Sequence, residues 1–388
     1  MEATMDILEL SNDLLLSNSS FLSRPLFLES SIVTFPPQKL NMPSTCLLKT
    51  NNGTQLPPEI VLSIVEMVMN DDPDQVPNMM KVSKTFYNLV KTYEQSLTLA
   101  NISKDERLVH VNSETSQILA CSAPPADYLI SKSPSFMWYS EMRTRHGIVD
   151  FLVDHEITAM DGDANGWPRL WNIPLKERLL REREFKKRGF AMLFKLADST
   201  AGTTELPAIR TCQNHLLETL TANELSVLAC LVEVIGQGFF NITGHAISEN
   251  QKEATSDSLA TQAPVRHLPA TAKLGIPAHT GANDSSENWL RECMCVFEDR
   301  VQRFGPYFAF AYLVGFENKS RRPDLWTKSE LQQGLDDMNS YELGYTMAYA
   351  SLQSVAWRVF CAKVNCEMQD RWTEAKELAE KEMAGYKV

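Results

Sequence analysis

The chain has 388 residues, 44% hydrophobic and 22% charged, with a net charge of −12. This is the balance of a soluble globular protein with enough apolar side chains for a real core, and the length predicts two or three domains or one large one with insertions. The acidity excludes a broad nucleic-acid surface, because neutralising phosphates needs a basic stripe. Cysteines 46, 121, 212, 230, 293, 295, 361 and 366 are too scattered for the disulfide framework of a small secreted domain.

Residues 1–54 are rich in Ser, Asn and Pro, and the expectation is a largely disordered arm. Its acidic start, Met1-Glu2-Ala3-Thr4-Met5-Asp6, lacks a basic n-region, so no signal peptide is expected. Met5 to Leu16 has the pattern of a short amphipathic helix. No run approaches the roughly 18 uninterrupted apolar residues of a membrane span. The compartment expected is reducing and intracellular, cytoplasmic or nuclear, and the sequons at Asn18, Asn52, Asn101, Asn241, Asn283 and Asn318 are then chance matches.

The stretch from Leu56 to Val90 says most about function. Leu56-Pro57-Pro58-Glu59 opens a helix expected over 56–69, since proline is tolerated where its missing N–H would have no partner. Ile60, Ile64, Val65 and Val68 recur at helical spacing. Val82, Phe86 and Leu89 or Val90 repeat the pattern on a second helix, expected over 77–91. Helices this short bury too little apolar surface to stand alone, so the rest of the chain or a partner must cover the stripe.

Leu56-Pro57-Pro58-Glu59-Ile60 followed by Val82-Ser83-Lys84-Thr85-Phe86 resembles an F-box. The likeness covers roughly residues 55–98, about a ninth of the chain. Its central turn, Asn70 to Asn78, is more polar than the family's, and Ser96-Leu97-Thr98 stands where a Leu-Trp often ends the motif. The resemblance implies docking on the Skp-type adaptor of a cullin-RING ubiquitin ligase, through Leu56, Pro57, Ile60, Ile64, Val82 and Phe86. The remaining chain would bind a protein substrate. No period of twenty to fifty residues emerges, so the chain looks like a fungal-type F-box protein without WD40, kelch or leucine-rich repeats. No catalytic residue, cofactor, metal, membrane or nucleic-acid partner is expected.

Farther on, residues 127–247 read as helical. Tyr128 to Phe151 shows no clean period, whereas Leu175 to Leu196 is strongly helical. The basic run from Arg181 to Arg188 is interleaved with glutamates and reads as a solvated helix face rather than a phosphate or import patch. Thr221 with Glu224 makes a capping box before an apolar stretch to Phe240. Gly236-Gln237-Gly238 reads as a helix end. Residues 248–288 have almost no large apolar side chains and read as a linker or disordered insertion. Residues 289–388 form a C-terminal helical region expected to pack on 127–247, with a central helix over Leu343 to Val364 and a polar closing helix over Gln369 to Lys381. The fold expected is thus mainly α-helical: a small N-terminal module, then an irregular helical domain carrying a long insertion.

Sites of bond chemistry are weak. Asp161-Gly162-Asp163-Ala164-Asn165-Gly166 matches half of an EF-hand loop, but Asn172 replaces the closing glutamate and Pro168 interrupts the short strand. His155-Glu156 lacks a second histidine because Ala159 stands there. Cys293 and Cys295 point to different sides of a helix, and Cys361 and Cys366, five apart, share no helical face. Aromatics from Tyr307 to Phe316 and at Tyr341, Tyr345, Tyr349, Trp357 and Phe360 suit a core. Two further readings stay open. One is a scaffold that packs Ile60, Ile64 and Phe86 internally. The other is an enzyme with an aromatic pocket and polar groups among Glu342, His279, Arg321 and Asp336.

Overall fold

The computed structural model describes residues 56–73, 75–104, 135–160, 167, 170, 172–258, 286–317, 325–340 and 355–386. The chain is mainly helical, as its periodicity predicts, and no strand occurs among these residues. In chain order the helices are α1 (Pro58–Asp71), α2 (Gln75–Met80), α3 (Lys84–Lys104), α4 (Phe136–Asp154), α5 (Leu175–Ser199), α6 (Leu206–Thr219), α7 (Ala222–Ser258), α8 (Ser286–Phe304), α9 (Pro306–Glu317), α10 (Leu325–Ser340), α11 (Val355–Val364) and α12 (Arg371–Gly385). A 3-10 turn over Glu156–Thr158 follows α4. The N-terminal arm, the EF-hand-like loop at 161–166 and Tyr341, Tyr345 and Tyr349 lie outside the described residues.

Two hydrophobic clusters organise these helices. The smaller gathers Val61, Val65, Met69, Val76, Phe86, Val90 and Leu97 from α1–α3 with Phe136, Tyr139 and Met142 from α4. The larger takes the other half of α4, from Ile148 to Val153, and the elements after it. This double duty explains why the sequence of α4 has no clean period. At about 100° per residue, the stripe of Phe136, Tyr139 and Met142 is centred roughly 110° around the helix from that of Ile148, Val149, Leu152 and Val153. Polar contacts fix the junction: Arg143 donates to the Asn70 carbonyl at 2.9 Å and to that of Met69 at 3.3 Å, closing the end of α1. Glu94 accepts from the Phe136 N–H at 3.1 Å, at the start of α4.

Helix α7 is the axis of the larger core and touches α5, α8, α11, α12 and the 3-10 turn. Its start is the expected capping box. Glu224 accepts from the Thr221 N–H at 2.7 Å while the Thr221 hydroxyl accepts from the Glu224 N–H at 3.2 Å. Residues Ala222–Ile247 have the length and composition of a membrane span, and most of that stretch is buried by neighbouring helices. Its scattered Ser, Thr, Asn and Gly residues break it into shorter apolar runs. The helix also runs into the expected insertion, through residues 248–258, and α8 starts at Ser286 rather than Trp289.

Gly236 and Gly238 do not end α7; they lie in its middle because neighbours come too close for a side chain. A Cβ on Gly238 would sit 2.1 Å from the Ile157 carbonyl oxygen, and one on Gly236 would sit 1.9 Å from Glu298 Oε1. Alanine normally stabilises a helix interior by up to about 1 kcal/mol over glycine. Gly238→Ala is expected to reverse that sign and cost about 1–3 kcal/mol, because a backbone carbonyl cannot swing aside. The midpoint of urea unfolding measures it, and a stabilised variant would contradict this packing.

The basic run on α5 is likewise no solvated face. Arg181 donates to the Met383 carbonyl at 2.7 Å and to that of Ala384, at the end of α12. Arg183 pairs with Asp154 and Lys187 with Asp150 at 3.3 Å, both on α4. Arg188 lies 4.1 Å from the Tyr386 ring centroid and 3.5 Å from Glu382. The charges clamp three helices together, which a reading of α5 alone could not show.

A candidate protein-interaction face

Helix α1 begins where the Leu-Pro signal predicts, with Pro57 as N-cap and Pro58 as first helical residue. Its apolar residues span about 220° of circumference at 3.6 residues per turn, more than the small core uses. Val61, Val65 and Met69 face inward. Ile60, Ile64 and Met67, at spacings of four and three, form a second stripe that is 49%, 43% and 68% exposed. A helix in a globular protein ordinarily presents polar residues there, and a contiguous exposed apolar strip is the usual mark of an interaction site.

The expected contact residues divide between this face and the core behind it. Pro57, Ile60 and Ile64 are exposed on α1. Val82 is 52% exposed in the turn joining α2 to α3. Leu56 is half-buried against the small core. Phe86 is only 3% exposed and packs inside the module, so in this conformation it supports the face from behind instead of lining it. The helix expected over 77–91 is interrupted here. Ser83 accepts from the Phe86 N–H at 3.1 Å and caps a new helix, and this turns Val82 out while Phe86 goes in. A serine three residues before an apolar anchor is the signal that could have located the break.

Chemistry-bearing groups elsewhere are occupied. Phe239 stacks on Phe297 at 4.3 Å, Phe308 and Tyr312 pack around them, and the Tyr312 hydroxyl lies 3.0 Å from that of Thr243. The described aromatics of the C-terminal region, from Tyr307 to Phe316 and at Trp357 and Phe360, therefore build the larger core. Burial raises the thiols of Cys230, Cys293 and Cys295, the last to about 12. His155 uses Nδ1 to accept from the Ile157 N–H at 3.0 Å. Among the described residues no three His, Cys, Asp or Glu side chains gather as a metal site. A groove of about 380 Å³ between α6 and α11 is lined by Asn214, Glu218, Arg358, Val359, Ala362 and Lys363, none of them aromatic. Of the polar groups an enzyme would need, Asp336 accepts from Gln332 at the surface, and Glu342, His279 and Arg321 lie outside the described residues.

Comparison with protein-family models, curated proteins and solved structures finds no match to this chain.

Proposed function

We propose that the chain is a substrate-recruiting adaptor of a cullin-RING ubiquitin ligase, docking a Skp-type subunit through the exposed stripe of α1. The observation that carries this reading is the second apolar stripe, Ile60, Ile64 and Met67, left uncovered on a helix opened by Leu56-Pro57 while the core behind it is already closed. The protein would do no bond chemistry. Holding a substrate beside a charged ubiquitin carrier raises the effective concentration of the substrate's lysines, and that alone accelerates transfer. Residues 127–388 would hold the substrate, in the cytoplasm or nucleus.

A helical scaffold without a ubiquitin role is the second reading, and the burial of Phe86 favours it. The two exposed isoleucines fit it poorly. Co-purification of the full chain with a Skp-type adaptor, beside the Ile60→Asp/Ile64→Asp variant, separates the two. Wild type is expected to bind, and the variant to bind at least about a hundredfold more weakly, a loss near 3 kcal/mol for two desolvated isoleucines. Its melting temperature should not move. Absence of binding by the wild type would overturn the adaptor reading and leave the scaffold.

A further inference from the structure

Helix α11 ends in a reversal at Asn365, whose φ of 55° is the left-handed conformation that Asn and Gly adopt most easily. Just beyond it the Cys366 N–H donates to the Cys361 carbonyl at 3.1 Å. This is the six-to-one bond of a Schellman helix end, a motif that brings together the side chains of the residues it joins. In most helices that contact is between apolar residues. Here both are cysteines, joined by that backbone bond, and the Cys361 thiol also lies 4.0 Å from the Glu367 carbonyl just beyond Cys366. A disulfide fails when the Cα atoms lie more than about 7 Å apart, and a backbone hydrogen bond directly between the two residues meets that limit. Spacing along an unbroken helix would have kept the thiols on different faces; the reversal at Asn365 removes that obstacle.

We propose that Cys361 and Cys366 form a reversible dithiol–disulfide pair, a redox modification site that locks the turn between α11 and α12. Cys361 is buried and Cys366 half-buried, so a peroxide reaches Cys366 first. Hydrogen peroxide takes two electrons from the Cys366 sulfur, leaving a sulfenic acid and releasing water. The Cys361 sulfur then attacks it: the S–S bond forms, the S–O bond breaks, and hydroxide leaves with the Cys361 proton as a second water. Burial pushes the Cys361 thiol up to about 11, which keeps it protonated and suits it to the resolving role rather than the first attack. A thiol reductant returns both groups. The site touches more than its own loop. Lys363, between the two cysteines, donates to the Glu218 carbonyl at 3.0 Å and to that of Leu220, closing the end of α6.

The test is peptide mapping of the full chain after hydrogen peroxide, alkylation and trypsin. Cleavage after Arg358, Lys363 and Arg371 puts the cysteines on separate peptides, 359–363 and 364–371. These should appear covalently joined, two hydrogens lighter than their sum, and dithiothreitol should part them. Met368 is 39% exposed and lies on the second peptide, where its sulfoxide reports that peroxide reached the site. Met368 oxidised while both cysteines still alkylate, or Cys366 joined to a different cysteine, would overturn the pairing. Cys361→Ser should leave a sulfenic acid on Cys366 that dimedone traps. Cys366→Ser should slow oxidation of Cys361 at least tenfold. A Cys361 that reacts equally fast without its neighbour would refute the assigned order.

Discussion

Asp299→Ala is expected to destabilise the protein by about 3–5 kcal/mol, the usual cost of removing one partner from a buried ion pair. Asp299 is fully buried on α8, where one oxygen pairs with Arg210 of α6 and the other lies 2.8 Å from Arg300 Nη1. Arg300 is bonded in turn to Glu330 of α10, by Nε to its carboxylate at 3.1 Å. Without the carboxylate, guanidinium charges on two helices repel across a space closed to water. Burial alone would raise the Asp299 carboxyl, but Arg210 and Arg300 outweigh it and hold it below its usual range. The stabilisation from this depressed group is therefore complete above the unfolded pKa of about 3.9 and lost as pH falls through the lower folded value. Urea unfolding of wild type and variant across the acid range should show the gap between them closing only in that low window. A gap independent of pH would mean that Asp299 acts by packing and not by charge.

Phe86→Ala should be as damaging, but locally. Truncating a buried phenylalanine costs about 3–5 kcal/mol, and the small core has few other large side chains to absorb the loss. Hydrogen exchange is expected to accelerate throughout α1–α3 while α7 and α8 keep their protection. Partner binding would then fail because the face has lost its support, and Phe86→Leu should restore much of it. If Phe86→Ala leaves exchange unchanged yet abolishes binding, the side chain reaches the partner directly, in a conformation different from this one.

What could be read from the chain was local. The Leu-Pro opening of α1, the Thr221–Glu224 box and the helical character of nearly every segment depend on residues within a turn or two of one another, so spacing alone reveals them. What escaped depends on distant neighbours. Gly236 and Gly238 resemble a helix end until Glu298 and Ile157 are known to press on them. The charges of α5 resemble a wet surface until α4 and α12 are laid across them. The eight apolar residues of α1 carry no mark of which face inward, and the inward position of Phe86 follows from the cap at Ser83. The Cys361–Cys366 contact was hidden by treating both residues as parts of one continuous helix.

The sharing of α4 between the two cores has a consequence for how the protein is made. The small core lacks Phe136, Tyr139 and Met142 until they have been synthesised and can fold back onto α1 and α3. At about 5–20 residues per second, the roughly forty-five residues from Leu97 to Met142 take on the order of two to nine seconds to add. Throughout that interval α1 has only α2 and α3 against its inner stripe, and Ile60, Ile64 and Met67 stay bare on the other. The hazard of misassociation is thus greatest on the ribosome, and it falls when the first half of α4 arrives to complete the small core.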